Sequence, residues 1–160
     1  MPEIQAKTVI NAPIERCFDL ARSIDFHEFT SASTGEKAIA GITKGLINEG
    51  EEVTWRAKHF GISQTLTSKI TRCERPFVFE DQMLKGAFKS ICHLHTFEFT
   101  DGQTIMTDIF VFESPLGIFG KIFNRLVLTA YMKKFIDERN RILKQTAESE
   151  EWKKFIKITA

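Results

Sequence analysis

The chain has 160 residues, of which 42% are hydrophobic and 27% are charged, and these are the proportions of one ordinary globular domain. Lysine and arginine number 22 against 21 acidic residues. This balance, without a cluster of basic residues, argues against a general nucleic-acid-binding protein. No apolar run approaches the ~20 residues that a membrane-spanning helix needs, and nothing at the amino terminus is typical of a signal peptide.

The content of cysteine and aromatic residues carries two further predictions. Cys17, Cys73 and Cys92 are odd in number and widely spaced, which predicts free thiols in a reducing cytoplasm and argues against a disulfide framework or a zinc site. The chain has 15 Phe but only one Tyr and two Trp, so its large apolar side chains carry few polar groups. Either a thick core or an aromatic-lined cavity for an apolar ligand would explain this composition.

The first part of the chain predicts one strand followed by two short helices. Residues 3–11 alternate between apolar and polar side chains, as expected for a strand. The Asn-Ala-Pro sequence that follows is typical of a helix start, and this helix is expected to reach about residue 22. A second short helix is expected over residues 24–29, followed by a polar loop at 30–35.

Between residues 36 and 113 the pattern predicts strands only. The Asp101-Gly102 dipeptide lies between two alternating runs and is a strong hairpin signal. Because no helix separates the strands, they are expected to form an antiparallel meander rather than βαβ units. The predicted strands cover residues 36–41, 51–59, 62–72, 77–84, 88–100 and 103–113.

After Pro115 a long helical region is predicted, which ends near Thr146. Its later half has an apolar stripe with a period of 3.6 residues, whereas the apolar residues of the earlier half lie on roughly the opposite side. A straight helix with one contact surface does not explain both stripes. We therefore expect either a helix covered on two sides or, preferably, a break between Gly120 and Leu128.

These elements predict a single α+β domain over residues 1–146, followed by a tail of unknown structure at 147–160. A twisted antiparallel sheet is expected to wrap around the long carboxy-terminal helix and to leave a cavity between them. Short motifs occur in order along the chain: Gly50-Glu51-Glu52, Val53-Thr54-Trp55-Arg56, His59-Phe60-Gly61-Ile62, Leu66-Thr67-Ser68-Lys69-Ile70, Pro76-Phe77, His93-x-His95-x-Phe97, Asp101-Gly102-x-Thr104-x-Met106-x-Asp108 and Pro115-Leu116-Gly117.

These motifs and the element order over roughly residues 3–146 resemble those of the SRPBCC or START-like superfamily. This is the helix-grip (Bet v 1-like) fold of birch-pollen allergens, lipid-transfer START domains and polyketide cyclases, and the motifs are most similar to those of uncharacterised bacterial members. The resemblance implies a deep apolar cavity between the sheet and the last helix. The functions in the superfamily range from lipid carriage to cyclisation and partner binding, so the fold alone does not settle the function.

One polar pair follows from the hairpin turn. A two-residue loop at Asp101-Gly102 would place His95 opposite Asp108 on a face that is rich in aromatic residues and is therefore expected to be the interior. An imidazole beside a carboxylate in an apolar chamber could act as an acid/base pair. The alternative is structural: Asp108 only satisfies His95 where either group alone would be costly to bury.

A metal site is a further interpretation of the same residues. His93 and His95 would share one face and, with Asp108, would offer two imidazoles and a carboxylate, which His59 or His27 could complete. Nothing else in the sequence fixes a metal geometry, and the resemblance implies no metal. No metal and no cofactor are therefore expected.

Three functions remain as hypotheses. The leading one is a cytoplasmic protein that binds and carries a small apolar molecule (lipid, sterol or polyketide-like), with enzymatic activity less favoured. The second is a polyketide cyclase or dehydratase type of enzyme that uses His95 and Asp108. The third is a partner-binding or membrane-surface module, with a homodimer as one form.

The expected entrance to the cavity is the segment 115–124 or the loop 30–35. The predicted ligand-contacting residues are Trp55, His59, Phe79, Met83, His93, His95, Phe97, Met106, Asp108, Phe110, Phe112, Phe119, Phe123 and Met132.

Overall fold

The structure, a computed structural model, describes residues 1–115 and 117–157, with their side chains except those at positions 120, 121 and 123–125. The chain begins with strand β1 (Glu3–Ile10), followed by helices α1 (Ile14–Ala21) and α2 (Ile24–Thr30). A short 3-10 turn (Ala32–Thr34) lies in the segment that was expected to be a loop. The predicted order of one strand and two short helices is confirmed.

Six more strands follow and complete one antiparallel sheet. They are β2 (Lys37–Gly41), β3 (Glu52–His59), β4 (Ile62–Glu74), β5 (Val78–Lys85), β6 (Ser90–Thr100) and β7 (Gln103–Glu113). The sheet has the order β1, β7, β6, β5, β4, β3, β2, so β2 to β7 form the predicted meander and β1 joins its β7 edge. Strand β4 continues beyond its predicted end at residue 72, and β6 begins later than its predicted start at residue 88.

The hairpin between β6 and β7 sets the register of the sheet interior. Asp101 and Gly102 have positive φ angles of 51° and 75°, as the preferred two-residue hairpin turn requires, and glycine adopts such an angle without strain. Thr100 therefore pairs with Gln103. Further along the same ladder His95 pairs with Asp108, which confirms the predicted register.

The carboxy-terminal helical region is continuous, and the preferred expectation of a break is corrected. Helix α3 (Gly117–Phe123) passes through a π-helical turn (Asn124–Leu128) into helix α4 (Thr129–Ala147). A π turn holds more residues than an α turn, so it shifts the phase of the side chains on either side of it. On the two sides of this turn the apolar side chains differ in surroundings, since Ile118 and Phe119 of α3 are exposed whereas Ile136 of α4 is buried.

Three clusters of buried side chains form the core. The largest joins α1, the turn end of β6 and β7 and the end of α4, and it also includes Trp152 and Ile156. These two residues lie in or near a 3-10 turn (Glu150–Lys154), within the segment that the sequence left as a tail of unknown structure. The second cluster lies between β1, β7 and the start of α4, and the third packs α2 on β3 and β4.

Two further observations concern the cysteines and the helices. Cys17, Cys73 and Cys92 all belong to the described part of the chain and are unpaired. Among the described residues, no helix has both the length and the apolar composition needed to cross a membrane.

Candidate functional site

A cavity of about 670 Å³ lies between the sheet and helices α2 and α4. Small-molecule pockets in proteins have volumes of roughly 300–1,000 Å³, mostly apolar walls and a few polar groups. Most of the described side chains that line this cavity are apolar, and they include Ile24, Ile47, Val53, Trp55, Leu66, Ile70, Phe79, Ile91, Phe110, Leu128, Met132, Phe135 and Ile136.

The structure brings part of the predicted residue set together around this cavity. The predicted residues that line it are Trp55, His59, Phe79, His93, His95, Phe110 and Met132. They come from five different elements, β3, β5, β6, β7 and α4, which the antiparallel order of the sheet and the last helix place around one space.

The other predicted residues lie elsewhere. Phe97 and Met106 belong to the core cluster beneath α1, because they lie near the turn end of β6 and β7 that α1 covers. Phe112 and Met83 pack in the second cluster. Phe119 is 83% exposed, since it projects from α3 into solvent. The side chain of Phe123 lies outside the described residues, and Asp108 is buried behind the cavity wall.

Asp108 is the centre of a buried polar cluster, and this cluster includes the predicted pair of His95 and Asp108. Its Oδ1 lies 3.0 Å from His93 Nε2 in a hydrogen bond and 2.7 Å from His95 Nδ1. The His95 contact is close, but its direction is not that of a hydrogen bond, since His95 Nδ1 has no aligned partner. The other oxygen, Oδ2, accepts a hydrogen bond of 2.6 Å from Asn140 Nδ2 on α4. Asp108 therefore holds both imidazoles from behind.

Asp81 on β5 faces the same two histidines from the cavity side, and the sequence analysis did not identify it. Its Oδ1 lies 3.7 Å from His95 Nε2, and 25% of its side chain is exposed, on a residue that lines the cavity. The strand pattern could have identified Asp81. It lies two residues from both Phe79 and Met83 and therefore shares their face of β5, and both of these residues were predicted to contact the ligand. Asp81, His93 and His95 offer three ligand atoms that all lie within 4.8 Å of one another, so this set could hold a metal ion.

The surroundings separate the pKa values of the two histidines. Burial lowers the pKa of His93 to about 4, and the charge of His95 acts in the same direction. Burial would also lower the pKa of His95, but Asp108 and Asp81 outweigh it and raise the pKa. Burial would raise the pKa of Asp108, yet the contacts with His93 and His95 hold it well below its usual range. The two imidazoles thus differ, since the pKa of His93 is lowered and the pKa of His95, which lies between two carboxylates, is raised.

A second group of polar side chains lines the cavity near Trp55. His27 Nε2 lies 2.6 Å from Glu36 Oε1, and its ring stacks on Trp55 at a centroid distance of 4.2 Å. His59 Nδ1 and the Tyr131 hydroxyl are 2.8 Å apart. Burial would raise the pKa of Glu36, but His27 lowers it by charge and hydrogen bonding, and the lowering prevails. Glu36 and Tyr131 were not predicted to line the cavity; the partner of Tyr131, His59, is 72 residues away, whereas the partner of Glu36, His27, is only nine residues away.

The exposed residues of the lining mark the mouth of the cavity. Phe60 and Ile62 lie at the β3–β4 hairpin and are 53% and 63% exposed. Ala87 lies in the β5–β6 hairpin, and Pro115 precedes α3. The mouth is therefore next to the segment 115–124, one of the two expected entrances. The described loop 30–35 contributes no residue to the lining.

We compared the chain with known protein families, curated proteins and solved structures. No protein-family model matches the sequence, and no curated protein matches it. Solved structures do match. Protein TTHA0849 from Thermus thermophilus has a TM-score of 0.74 at 17% identity and covers 91% of this chain and 97% of its own. Major latex-like protein 151 from Panax ginseng has a TM-score of 0.69 at 15% identity, with 92% of this chain and 98% of its own covered.

A third structure, protein CV1439 from Chromobacterium violaceum, has a TM-score of 0.70 at 8% identity and covers 92% of this chain and 97% of its own. Bet v 1-like proteins, the ginseng protein among them, are thus structural neighbours of this chain. The seven-stranded antiparallel sheet, the two short helices after β1 and the long last helix are those of the helix-grip fold. At these low sequence identities the similarity shows the fold only, and any statement about function has to be argued from the cavity and its residues.

Proposed function

We propose that the protein binds, and carries, a small and mostly apolar molecule in the cavity between the sheet and α4. The observation that carries this proposal is the cavity itself, whose volume of about 670 Å³ and apolar walls suit such a molecule. The polar side chains at its wall, such as His95 and Tyr131, would orient one or a few polar atoms of the ligand. The three unpaired cysteines support a cytoplasmic protein.

The test is to purify the protein gently and to analyse it by native mass spectrometry. We expect a small molecule to travel with the protein, and we expect fluorescent fatty acids to bind and to be displaced by apolar competitors. Met132→Trp fills the cavity and should weaken binding about tenfold or more, a loss of about 1.4 kcal/mol in binding free energy. The matched control is Lys134→Trp, because Lys134 is an exposed residue of the same helix. A cavity that rejects fatty acids, sterols and flat aromatic compounds would contradict the proposal.

A second proposal is an acid/base enzyme of the polyketide cyclase or dehydratase type. It is supported by the position of His95, whose Nε2 points towards Asp81 at the cavity wall while Asp108 contacts its Nδ1. In this arrangement His95 would exchange a proton with the ligand and Asp108 would position the ring. His95→Gln should then reduce turnover of a polyketide-type substrate by roughly 10²–10⁴-fold while a fluorescent fatty acid still binds. If the variant loses only thermal stability, the pair is structural.

A third proposal is a partner-binding or membrane-surface role for α3 and the π turn. Ile118, Phe119 and Leu126 are 76%, 83% and 70% exposed, and such a group of apolar side chains often marks an interaction site. Phe119→Ser should abolish concentration-dependent dimerisation in sedimentation, or flotation with liposomes, if this surface is used. A protein that stays monomeric and does not float would contradict this third proposal.

A further inference from the structure

Each imidazole of the buried cluster has one nitrogen at Asp108, Nε2 of His93 and Nδ1 of His95. An ionised carboxylate only accepts hydrogen bonds, so His93 Nε2, which is hydrogen-bonded to Asp108, is the protonated nitrogen of its ring when the imidazole is neutral. The lone pair of His93 then resides on Nδ1. Asp108 thus sets the tautomer of His93 and also lies 2.7 Å from His95 Nδ1, which is the position of the carboxylate behind many metal-binding histidines.

The distance between His95 and Asp81 is the second observation. His95 Nε2 and Asp81 Oδ1 are 3.7 Å apart, which is too long for a hydrogen bond. Two ligand atoms that each lie about 2.0–2.2 Å from the same metal ion are separated by roughly 3–3.5 Å. We therefore propose that Asp81, His93 and His95 form a binding site for a divalent transition-metal ion. All three ligand atoms lie within 4.8 Å of one another, so small side-chain movements would close the site.

The backbone supports this site on three neighbouring strands. His93 and His95 are two residues apart on β6 and share one face, and Asp81 pairs with His93 across the β5–β6 ladder. Asp108 pairs with His95 across the β6–β7 ladder, and Asn140 holds its other oxygen from α4. The sequence suggested Asp108 as the third ligand. The structure places Asp108 behind the histidines, where it orients them, and puts Asp81 in the ligand position instead.

The donor set and its position define the class of metal. Two imidazoles and one carboxylate suit Zn²⁺, Fe²⁺, Co²⁺ or Ni²⁺, whereas Mg²⁺ and Ca²⁺ prefer oxygen ligands alone. Asp81, His93 and His95 all line the cavity, so the remaining coordination positions would face a bound molecule. The carboxylates of Asp81 and Asp108 lie at these histidines, and their negative charge favours a cation.

The experiment uses the full chain without a purification tag, treated with a chelator and then freed of it. Zn²⁺ alone is titrated by calorimetry, and Co²⁺ alone by visible absorption. We expect one ion per chain and Co²⁺ bands that indicate nitrogen and oxygen ligands. Asp81→Asn and His95→Gln should each weaken Zn²⁺ binding by more than about tenfold, and Asp108→Asn by about 10–100-fold. The control Asp137→Asn removes an exposed carboxylate of α4 outside the cavity and should leave the affinity unchanged.

Three results would overturn the proposal: no stoichiometric binding, unchanged affinity in Asp81→Asn, or a Co²⁺ spectrum with thiolate ligands. Circular dichroism checks the fold of each variant. If His95→Gln does not fold, Asp81→Asn decides, because the Asp81 carboxylate is partly exposed and its replacement by an amide of equal size leaves the buried contacts of Asp108 in place. Displacement of a fluorescent fatty acid is measured separately, so a failure of the metal site and a failure of the carrier function are distinguished.

Discussion

At the scale of single residues, Asp108 determines how the polar part of the cavity wall is built. A buried carboxylate is tolerated only when its oxygens have partners. Asp108 contacts His93 and His95 through one oxygen and Asn140 through the other. Since these partners come from β6 and from α4, the same carboxylate joins the sheet to the helix and fixes the orientation of two imidazoles.

The first prediction concerns Asn140. Asn140→Ala removes the donor to Asp108 Oδ2 and leaves a buried oxygen without a partner, so we expect the free energy of unfolding to fall by about 1–3 kcal/mol. Asn140→Asp should be more harmful, because it places a second carboxylate beside the first. Urea unfolding measures both. Gln145→Ala is the control on the exposed side of α4 and should change stability by less than about 0.5 kcal/mol. Equal losses for Asn140→Ala and Gln145→Ala would show that the contact is not stabilising.

The second prediction concerns the pH dependence of Asp19. Burial would raise its pKa, but the hydrogen bonds from Arg75 and Arg22 outweigh burial and lower it below the usual value of 3.8. The folded state therefore holds Asp19 ionised more strongly than the unfolded state, and this stabilisation is present above pH 3.8 and lost as the pH falls through the lowered pKa.

Near neutral pH we expect Asp19→Asn to reduce the free energy of unfolding by about 1–2 kcal/mol, because Arg75 is half exposed and solvent weakens its contribution. The difference between the parent and Asp19→Asn should shrink below about pH 4 in urea titrations repeated across pH. The control is Asp137→Asn, whose pair with Lys133 is exposed. If the stability difference between the parent and Asp19→Asn instead grew as the pH fell, the pKa of Asp19 could not be lowered by folding.

The residue scale also shows what the sequence could predict. The Asp101-Gly102 turn was enough to place His95 opposite Asp108, because a two-residue loop determines every pair along the ladder. Asn140 and Asp81 were not found. The first reaches Asp108 from a helix whose rotation depends on the π turn, and the second is a charged residue that was not expected between two apolar positions of β5.

At the scale of elements, the π turn between α3 and α4 separates two different surfaces. Leu128 and Ile136 face the core, whereas Ile118, Phe119 and Ile122 of α3 are exposed. The sequence showed the change of side but not its cause, because a broken helix and a π turn give the same change in the apolar pattern. Gly117 begins α3 with a φ angle of +54°, which glycine adopts without strain.

The third prediction is that α3 acts as the gate of the cavity. It follows Pro115 at the mouth, and its exposed side chains provide few of the buried contacts that protect amides. Without ligand, amides of residues 117–123 should exchange with solvent faster than those of 132–143. A bound fatty acid should slow the exchange of 117–123 selectively. Equal protection along both segments, with and without fatty acid, would mean a rigid helix and an entrance elsewhere.

A matched pair of variants tests the same gate by rate. Gly117→Ala strains the start of α3 at its positive φ angle, whereas Gly50→Ala introduces the same strain in a turn far along the sequence from α3. Stopped-flow binding of a fluorescent fatty acid should change its entry rate in Gly117→Ala more than in Gly50→Ala. If both variants changed the entry rate equally, the cause would be a general loss of stability and not the gate.

At the scale of the whole molecule, the many phenylalanines serve both purposes that the composition allowed. Phe18 and Phe97 belong to the largest core cluster, whereas Phe110 and Phe135 line the cavity. The composition could not show which phenylalanines belong to the core and which line the cavity. That depends on where α1 packs against the sheet and where a space remains between the sheet and α4. The fold class was predictable from the element order, and the cavity walls were predictable only in part.

The fourth prediction concerns the extent of the domain, which we propose to continue at least to Ile156. Trp152 and Ile156 are each 6% exposed and belong to the core cluster that contains Phe18 and Leu143. The guanidinium carbon of Arg16 lies 4.4 Å from the centroid of the Trp152 ring. Because the tail therefore completes the largest cluster, Trp152→Ala should lower the free energy of unfolding by about 3–5 kcal/mol.

Thermal unfolding by circular dichroism tests this extent directly. Lys153→Ala, a change at the exposed neighbouring position, should alter stability by less than about 0.5 kcal/mol. Truncation after residue 146 should lower Tm by at least as much as Trp152→Ala, because it removes Trp152 and Ile156 together. It should also weaken fatty-acid binding only through the loss of folded protein, since neither residue lines the cavity. A truncated chain with the Tm of the parent would instead make the last residues an appendage to a domain that ends at residue 146.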